Sequence, residues 1–362
     1  MVSVKEEVAV TSPVRQAVAP PPRGVLARFR RPANLVLLFA AAFLLAIPRI
    51  VESAFYIQVL IMIVFFAYLT ACWNIISGYA GQLSIGNAVF VMIGAYTSTF
   101  LFAELNISPW IGMIAGGLCA AAAAFLIGFP AFRLRGAYFS IATIVWAEGL
   151  RKIVENTDHI GKLHVGGAEG LTIPLLDQSL LYYQFEDKSY YYYTILLMMF
   201  AVVALTYWID RSKLGYYLTA IREDEDAAKA LGINVRKYKL IAFVICAFLT
   251  ALAGTFYAQL MLYIEPSGVG GLALSIEMLL LGVIGGRGTI LGPILGAFLL
   301  VPIREMARTY IGTTYLGAHL VIYGALMVIV ILFLPHGIEE PARRAVLRLT
   351  SGSRSRKPEQ RS

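Results

Sequence analysis

Residues 53–103 contain no Asp, Glu, Lys or Arg, and charge-free stretches recur at 105–132, 240–264 and 309–338. Each is long enough to cross a bilayer, which takes about 20 apolar residues in a helix. An unpaired backbone amide in hydrocarbon costs several kcal/mol, so these stretches must satisfy their hydrogen bonds internally, as helices or as a closed barrel. Continuous apolar runs contradict the alternating pattern of a barrel strand. The expected fold class is therefore an all-α polytopic membrane protein. Composition agrees, with 59% hydrophobic and 14% charged residues against about 25% charged in soluble domains.

Apolar spans are placed at 34–47, 54–76, 85–103, 109–132, 137–155, 190–209, 240–264, 272–284, 293–302 and 315–335, giving about ten crossings. With the N-terminus inside, 23 of the 30 Lys and Arg fall on inner segments and 7 on outer ones. That bias is produced when basic flanks are retained on the cytoplasmic side, so both termini are expected there. The net charge of +8 then reports topology and does not call for a nucleic-acid partner. A polar, Pro-rich head precedes the first span without a small-residue cleavage site after it, so that span is expected to stay as an anchor. The chain divides into a disordered cytoplasmic head (1–32), a membrane domain (33–338) and a disordered basic tail (339–362).

Cys72, Cys119 and Cys246 all fall in apolar runs, where a thiol packs as a small hydrophobe. His159, His164, His319 and His336 are scattered, and neither HExxH nor Cys-x-x-Cys spacing occurs, so no metal site is expected.

Two hydrophilic interruptions stand out. The loop at 156–189 is placed outside, and its Gly166, Gly167 and Gly170 mark tight turns because glycine tolerates positive φ. It is either plain surface or a docking surface for a soluble partner. The loop at 210–239 is placed inside and carries IREDEDAAKALGINVRKYKL. Helical spacing sets Ala227 with Leu231 and Ala228 with Gly232 on one small, apolar face, while Glu225 and Lys229 pair across another. A solvated surface helix and a helix inserted into a groove on a soluble protein both fit that pattern.

Within the spans, Glu148 lies three residues before Arg151 and can pair with it, whereas Glu277 has no basic neighbour in sequence. A carboxylate at such depth is a functional candidate for the translocation pathway. Gln82, Ser84 and Asn87 lie in or beside a glycine-punctuated stretch at 78–86, and 282–292 is a comparable interruption. Such breaks either expose backbone groups to a polar substrate, as in transporters, or pack helices closely through small residues.

The segment Asp226, Ala227, Ala228 and Gly232 resembles the EAA loop of ABC-transporter permeases, with Asp in place of Glu and without the Pro that ends many such motifs. GYAGQLSIGNAVFVMIGAYT at 78–97, RGAYFSIATIVWAEGLRKI at 135–153, VGGAEGL at 165–171 and SIEMLLLGVIGGRGTILGPILGA at 275–297 extend the likeness. Together they resemble the M-type permease of branched-chain amino-acid ABC importers from about residue 55 to 335, in the family's order, with Gly86-Asn87 where Gly-His is frequent.

The resemblance implies that Asp226, Ala227, Ala228, Leu231 and Gly232 form a cytoplasmic coupling helix. It also implies a second permease subunit, two ATPase subunits, an external solute-binding protein docking near Gly166, Gly167 and Gly170, and a bacterial inner membrane. The chain has no GxxxxGK[ST] phosphate cradle, so ATP and Mg are expected on the partner ATPases and no cofactor on this chain. Leucine, isoleucine and valine are the substrates implied, with urea or short amides as the alternative. An ion-coupled carrier working alone has no use for a coupling helix. An intramembrane enzyme lacks both a Gly-x-Ser-Gly nucleophile and paired carboxylates on one helix face.

Overall fold

The computed structural model describes residues 42–310 apart from 52, 161–162, 165 and 176–180, with a few single positions between 321 and 338. Residues 1–46 form a unit of their own, of which 42–46 are described and helical. The expected first span lies mostly outside the described residues, as do the tenth span, the head and the tail. A second unit begins at Ile47 and contains the helix bundle.

Helix α1 (Ala54–Asn74) is the axis of the fold: every residue from Ile61 to Asn74 is buried. It packs against α5 (Lys188–Asp210), α8 (Val235–Met261), α10 (Leu272–Gly285) and α11 (Gly292–Tyr310). An apolar helix surrounded on all sides needs no polar face. It ends in a π-helical turn, Ile75–Tyr79, before the chain breaks and restarts as α2 (Ala88–Leu105).

Helices α2, α3 (Pro109–Ala131) and α8 make the closest packing. A Cβ on Gly94 would meet the Ala251 carbonyl oxygen at 2.0 Å, one on Gly254 the Val91 oxygen at 2.0 Å, and one on Gly116 the Gly94 Cα at 3.0 Å. Backbones that approach this closely exclude any side chain, which is how small residues bring membrane helices together. Thr255 Oγ1 donates to Gly94 O at 3.3 Å across the same contact.

Helix α4 (Ala137–Glu155) follows α3, and the short α6 (Lys213–Glu223), α7 (Glu225–Ala230) and α9 (Pro266–Gly270) complete the set. Two small antiparallel ladders join β1 (His159–Ile160) to β2 (Leu163–His164) and β3 (Leu171–Thr172) to β4 (Tyr263–Ile264). Among the described residues, six segments are long and apolar enough to cross a membrane: Ala54–Tyr79, Ala88–Leu105, Pro109–Ala131, Lys188–Asp210, Val235–Met261 and Pro266–Gly285. Helices α4 and α11 are long but carry more charge, including Glu148, Arg151, Arg304 and Glu305. The span expected at 272–284 starts earlier, at Pro266, and that expected at 293–302 runs on to Tyr310, because Pro302 is accommodated inside α11.

Chain direction alternates between two ends of the bundle. One end gathers residues 74–79, 132–136, 211–234 and 286–291, joined by contacts of Arg135 with Asp226, of Arg222 with Gly78 and of Asn74 with Gly288. The other gathers 105–108, 262–265 and the described residues of the 156–187 loop, joined by the β3–β4 ladder. Helix α5 separates the two large loops by 23 residues, about 34 Å at 1.5 Å per residue.

Candidate functional site

The charged segment folds as a short capped helix. Asp224 Oδ1 accepts from the amides of Asp226 (2.9 Å) and Ala227 (3.0 Å), satisfying donors that the first turn of a helix leaves open. At the other end Gly232 N donates to Lys229 O (2.9 Å) and Ile233 N to Ala228 O (3.1 Å). These are the paired bonds of a Schellman cap, and Gly232 supplies its left-handed residue at φ 81°. The Ala228-to-Gly232 spacing follows from that cap. Ala228 is buried against Ile221 and Val235, with Ile233 packed beside it.

Ala227, Ala230, Leu231 and Gly232 are exposed instead. The single small-residue face expected from the sequence is therefore divided: Ala228 belongs to the interior of the turn, and Leu231 projects outward with 81% of its surface exposed. Glu225 and Lys229 pair at 3.0 Å as their spacing predicts. The second Glu225 oxygen bonds Lys239 Nζ at 2.6 Å, and the Lys239 side chain is only 2% exposed. Asp226 meets Arg135 at 3.1 Å with both side chains exposed, a contact worth about 0–1 kcal/mol.

Partial burial alone would raise the Glu225 pKa, but hydrogen bonds from Lys239 and Lys229 outweigh it and hold the carboxyl below its usual value. A carboxyl depressed in the folded state stabilises it fully above the ordinary Glu pKa of about 4.3 and loses that contribution as pH falls through the folded value. Hydrogen exchange of residues 224–233, corrected for intrinsic rates, is expected to show protection at pH 6 that is lost below pH 4. Equal protection at both would disprove the role of this carboxylate.

Both breaks reach the same end of the bundle as this segment. The buried Asn74 amide ties them together, donating to Thr289 O at 2.8 Å and accepting from Gly288 N at 2.9 Å. From there residues 80–87 turn back into the bundle. Trp73 Nε1 donates to Ser84 O (2.8 Å), Ser140 Oγ to Leu83 O (2.6 Å), and Ile85 N to Thr143 Oγ1 (3.2 Å). Gly86 is required there, since a Cβ would meet Thr143 O at 2.2 Å. Asn87 Nδ2 reaches Cys246 Sγ at 3.3 Å, and Cys246 lies 11 residues into α8, about 16 Å along its axis. Helix α2 thus begins deep inside the bundle.

Its first amides are already occupied: Ala88 N donates to Ser275 Oγ (2.9 Å), Val89 N to Gly86 O and Phe90 N to Asn87 O. Ser84 and Asn87 are buried and bonded to each other at 2.6 Å, while Gln82 is half-buried. In this conformation the break is closed by its own chain. Glu148 pairs with Arg151 at 2.7 Å, as the spacing allows. Glu277 bonds Arg304, which also bonds Glu305 and lies 4.2 Å over the Phe66 ring. The carboxylate without a basic neighbour in sequence finds one across two helices, as a charge at that depth requires.

At the opposite end Gly166, Gly167 and Gly170 adopt φ of 81°, 46° and 78°. Gly170 N closes a turn on Gly166 O at 2.9 Å, and Tyr263 OH donates to Glu169 O at 2.8 Å. The loop is thereby fastened to the end of α8. Asn74, Arg222 and Lys239 carry no motif that sequence pattern could single out. The one signal they offer is that Lys239 borders a charge-free run and Asn74 is an amide side chain within one.

The family described as "Branched-chain amino acid transport system / permease component" matches residues 53–331. The chain is 32% identical to the high-affinity branched-chain amino acid transport system permease protein LivM of Escherichia coli (strain K12), over 77% of this chain and 68% of that relative. It is 25% identical to the permease protein LivH of Salmonella typhimurium, over 75% and 90%. It is 26% identical to the ribose import permease protein RbsC of E. coli (strain K12), over 60% and 66%. No solved structure matches.

Proposed function

The chain belongs to the branched-chain amino acid permease family, and from that premise we propose that it is the membrane subunit through which a binding-protein-dependent importer passes leucine, isoleucine and valine. Its partners are a second permease subunit, two ATPase subunits that bind ATP and Mg, and an external solute-binding protein received at the Gly166–Gly170 turn. It lies in the bacterial inner membrane with about ten crossings and both termini inside, an orientation supported by the basic residues gathered on one set of loops.

The observation that carries this reading is the exposed Ala227 and Leu231 on a capped, internally packed turn at the same end as both helix breaks. An exposed leucine on a charged helix, held by the half-buried Glu225 paired with the buried Lys239, suits insertion into a groove of the ATPase. Gly232 is a poor position for the test because a side chain there strains the left-handed cap before it meets any partner. Leu231→Asp leaves the cap and the interior untouched.

In the reconstituted complex, Leu231→Asp is expected to lower ATP-driven leucine uptake at least tenfold and to reduce co-purification of the ATPase, with membrane insertion unchanged. Wild-type uptake in this variant would remove the coupling assignment.

A further inference from the structure

Arg222 is the last basic residue of α6 and sits at the junction of the coupling turn with the two helix breaks. Its Nη1 donates to Gly78 O at 3.3 Å, while Nε and Nη2 are held by the adjacent Glu223 carboxylate at 3.1 and 2.8 Å. Two glycines, Gly81 and Gly288, make the room it occupies, and a third, Gly78, lets the breaks meet. A Cβ on Gly81 would lie 2.9 Å from Arg222 Cγ, one on Gly288 would lie 2.3 Å from Nη1, and one on Gly78 would strike the Asn74 amide that joins the breaks. Gly81 and Gly288 hold φ of 67° and 75°, a region other residues enter at a cost. One side chain of the coupling segment is thus seated between the backbones of both discontinuous segments.

The two sides of this contact differ in mechanical character. On the coupling side, Ile221 of α6 packs with Ala228 of α7 and Val235 of α8, and Glu225 of α7 bonds Lys239 of α8, so α6, α7 and the start of α8 move together. On the other side are Gly78, Gly81 and Gly288, the positions with the softest backbone. We propose that Arg222 is the positioning residue that carries displacement of the ATPase-contacting turn to both helix breaks at once. This role rests on the coupling reading of the turn and adds where the motion enters the membrane domain. An arginine bonding a helix-terminal carbonyl is by itself an ordinary cap. A cap calls for one acceptor, whereas this guanidinium, a third of its side chain exposed, touches two segments more than 200 residues apart in sequence.

The test uses the full complex of permeases, ATPases and binding protein in proteoliposomes, with leucine uptake and ATP hydrolysis read from the same vesicles. Arg222→Gln is expected to hydrolyse ATP within twofold of wild type while leucine imported per ATP falls at least tenfold. Arg222→Lys, which keeps a donor and a charge, is expected to recover part of that ratio. An unchanged ratio in Arg222→Gln overturns the proposal. So does a parallel fall of hydrolysis and uptake in both variants, because Arg222 would then only shape the ATPase contact. Failure of both variants to co-purify with the ATPases makes it a folding residue and overturns it as well. Wild-type vesicles prepared without ATPase that import leucine equally well would instead sink the coupling reading itself.

Discussion

Gly254→Val is expected to leave the chain unable to assemble its membrane core. The first added carbon would lie 2.0 Å from Val91 O and 2.8 Å from Ala95 N, both backbone atoms that no rotamer change can move aside. Restoring an ordinary contact requires α2 and α8 to part by roughly 1.4 Å, against interiors packed to near-crystalline density. Parting would also break the Thr255 bond to Gly94 O and loosen α3, whose Gly116 rests on Gly94. Overpacking typically costs about 1–3 kcal/mol, and a clash with the backbone of two successive turns of α2 belongs at or above the top of that range. The thermal midpoint of the solubilised protein and its yield in membranes both report the effect. Gly149→Val, where a Cβ meets nothing within 4 Å, is the matched control and is expected to behave as wild type. Equal yields and midpoints for the two variants would show that the close approach of these helices is not needed.

Glu225→Ala is the second change with a large expected effect. It strands the Lys239 ammonium, 2% exposed and bonded to Glu225 at 2.6 Å. Removing one partner of a fully buried pair typically costs about 3–5 kcal/mol, because an uncompensated charge remains, whereas replacing both partners with apolar groups is often neutral; with Glu225 itself 25% exposed, the loss here belongs at or below the bottom of that range. Glu225→Ala is therefore expected to destabilise the turn and abolish uptake. The double variant Glu225→Ala with Lys239→Met is expected to recover most of the stability. If the double variant is no more stable than the single one, Lys239 is not held by this carboxylate. The comparison separates a charge that is merely present from one that the fold must neutralise.

Much of the architecture is legible in the sequence because hydrocarbon imposes one dominant rule, that apolar stretches of sufficient length become helices. The spans read at 109–132 and 137–155 correspond to helices Pro109–Ala131 and Ala137–Glu155. The same rule conceals what faces what. Lipid and protein interior are both apolar, so α1, buried on every side from Ile61 to Asn74, carries no periodicity from which its central place can be read. The π-helical turn at Ile75–Tyr79 and the inward course of 80–87 depend on contacts with Trp73, Ser140 and Thr143 that arise only when α1 and α4 come together.

In the coupling segment, spacing discloses the helix and the Glu225–Lys229 pair, because both are local. The inward orientation of Ala228 depends on Ile221 and Val235 arriving from α6 and α8, which no local pattern encodes. Glu277 shows the same limit, since its partner Arg304 lies on the next long helix.

The direct meeting of the α2 backbone with those of α8 and α3, at Gly94, Gly254 and Gly116, leaves no compressible layer of side chains at those points. Such a trio behaves as a fulcrum: it can tilt as a block, but its members cannot slide past one another without colliding. Any second shape this protein adopts must preserve the trio and bend elsewhere. Gly81, Gly286 and Gly288, at φ of 67°, 125° and 75°, are hinges free of the steric penalty that would lock any other residue.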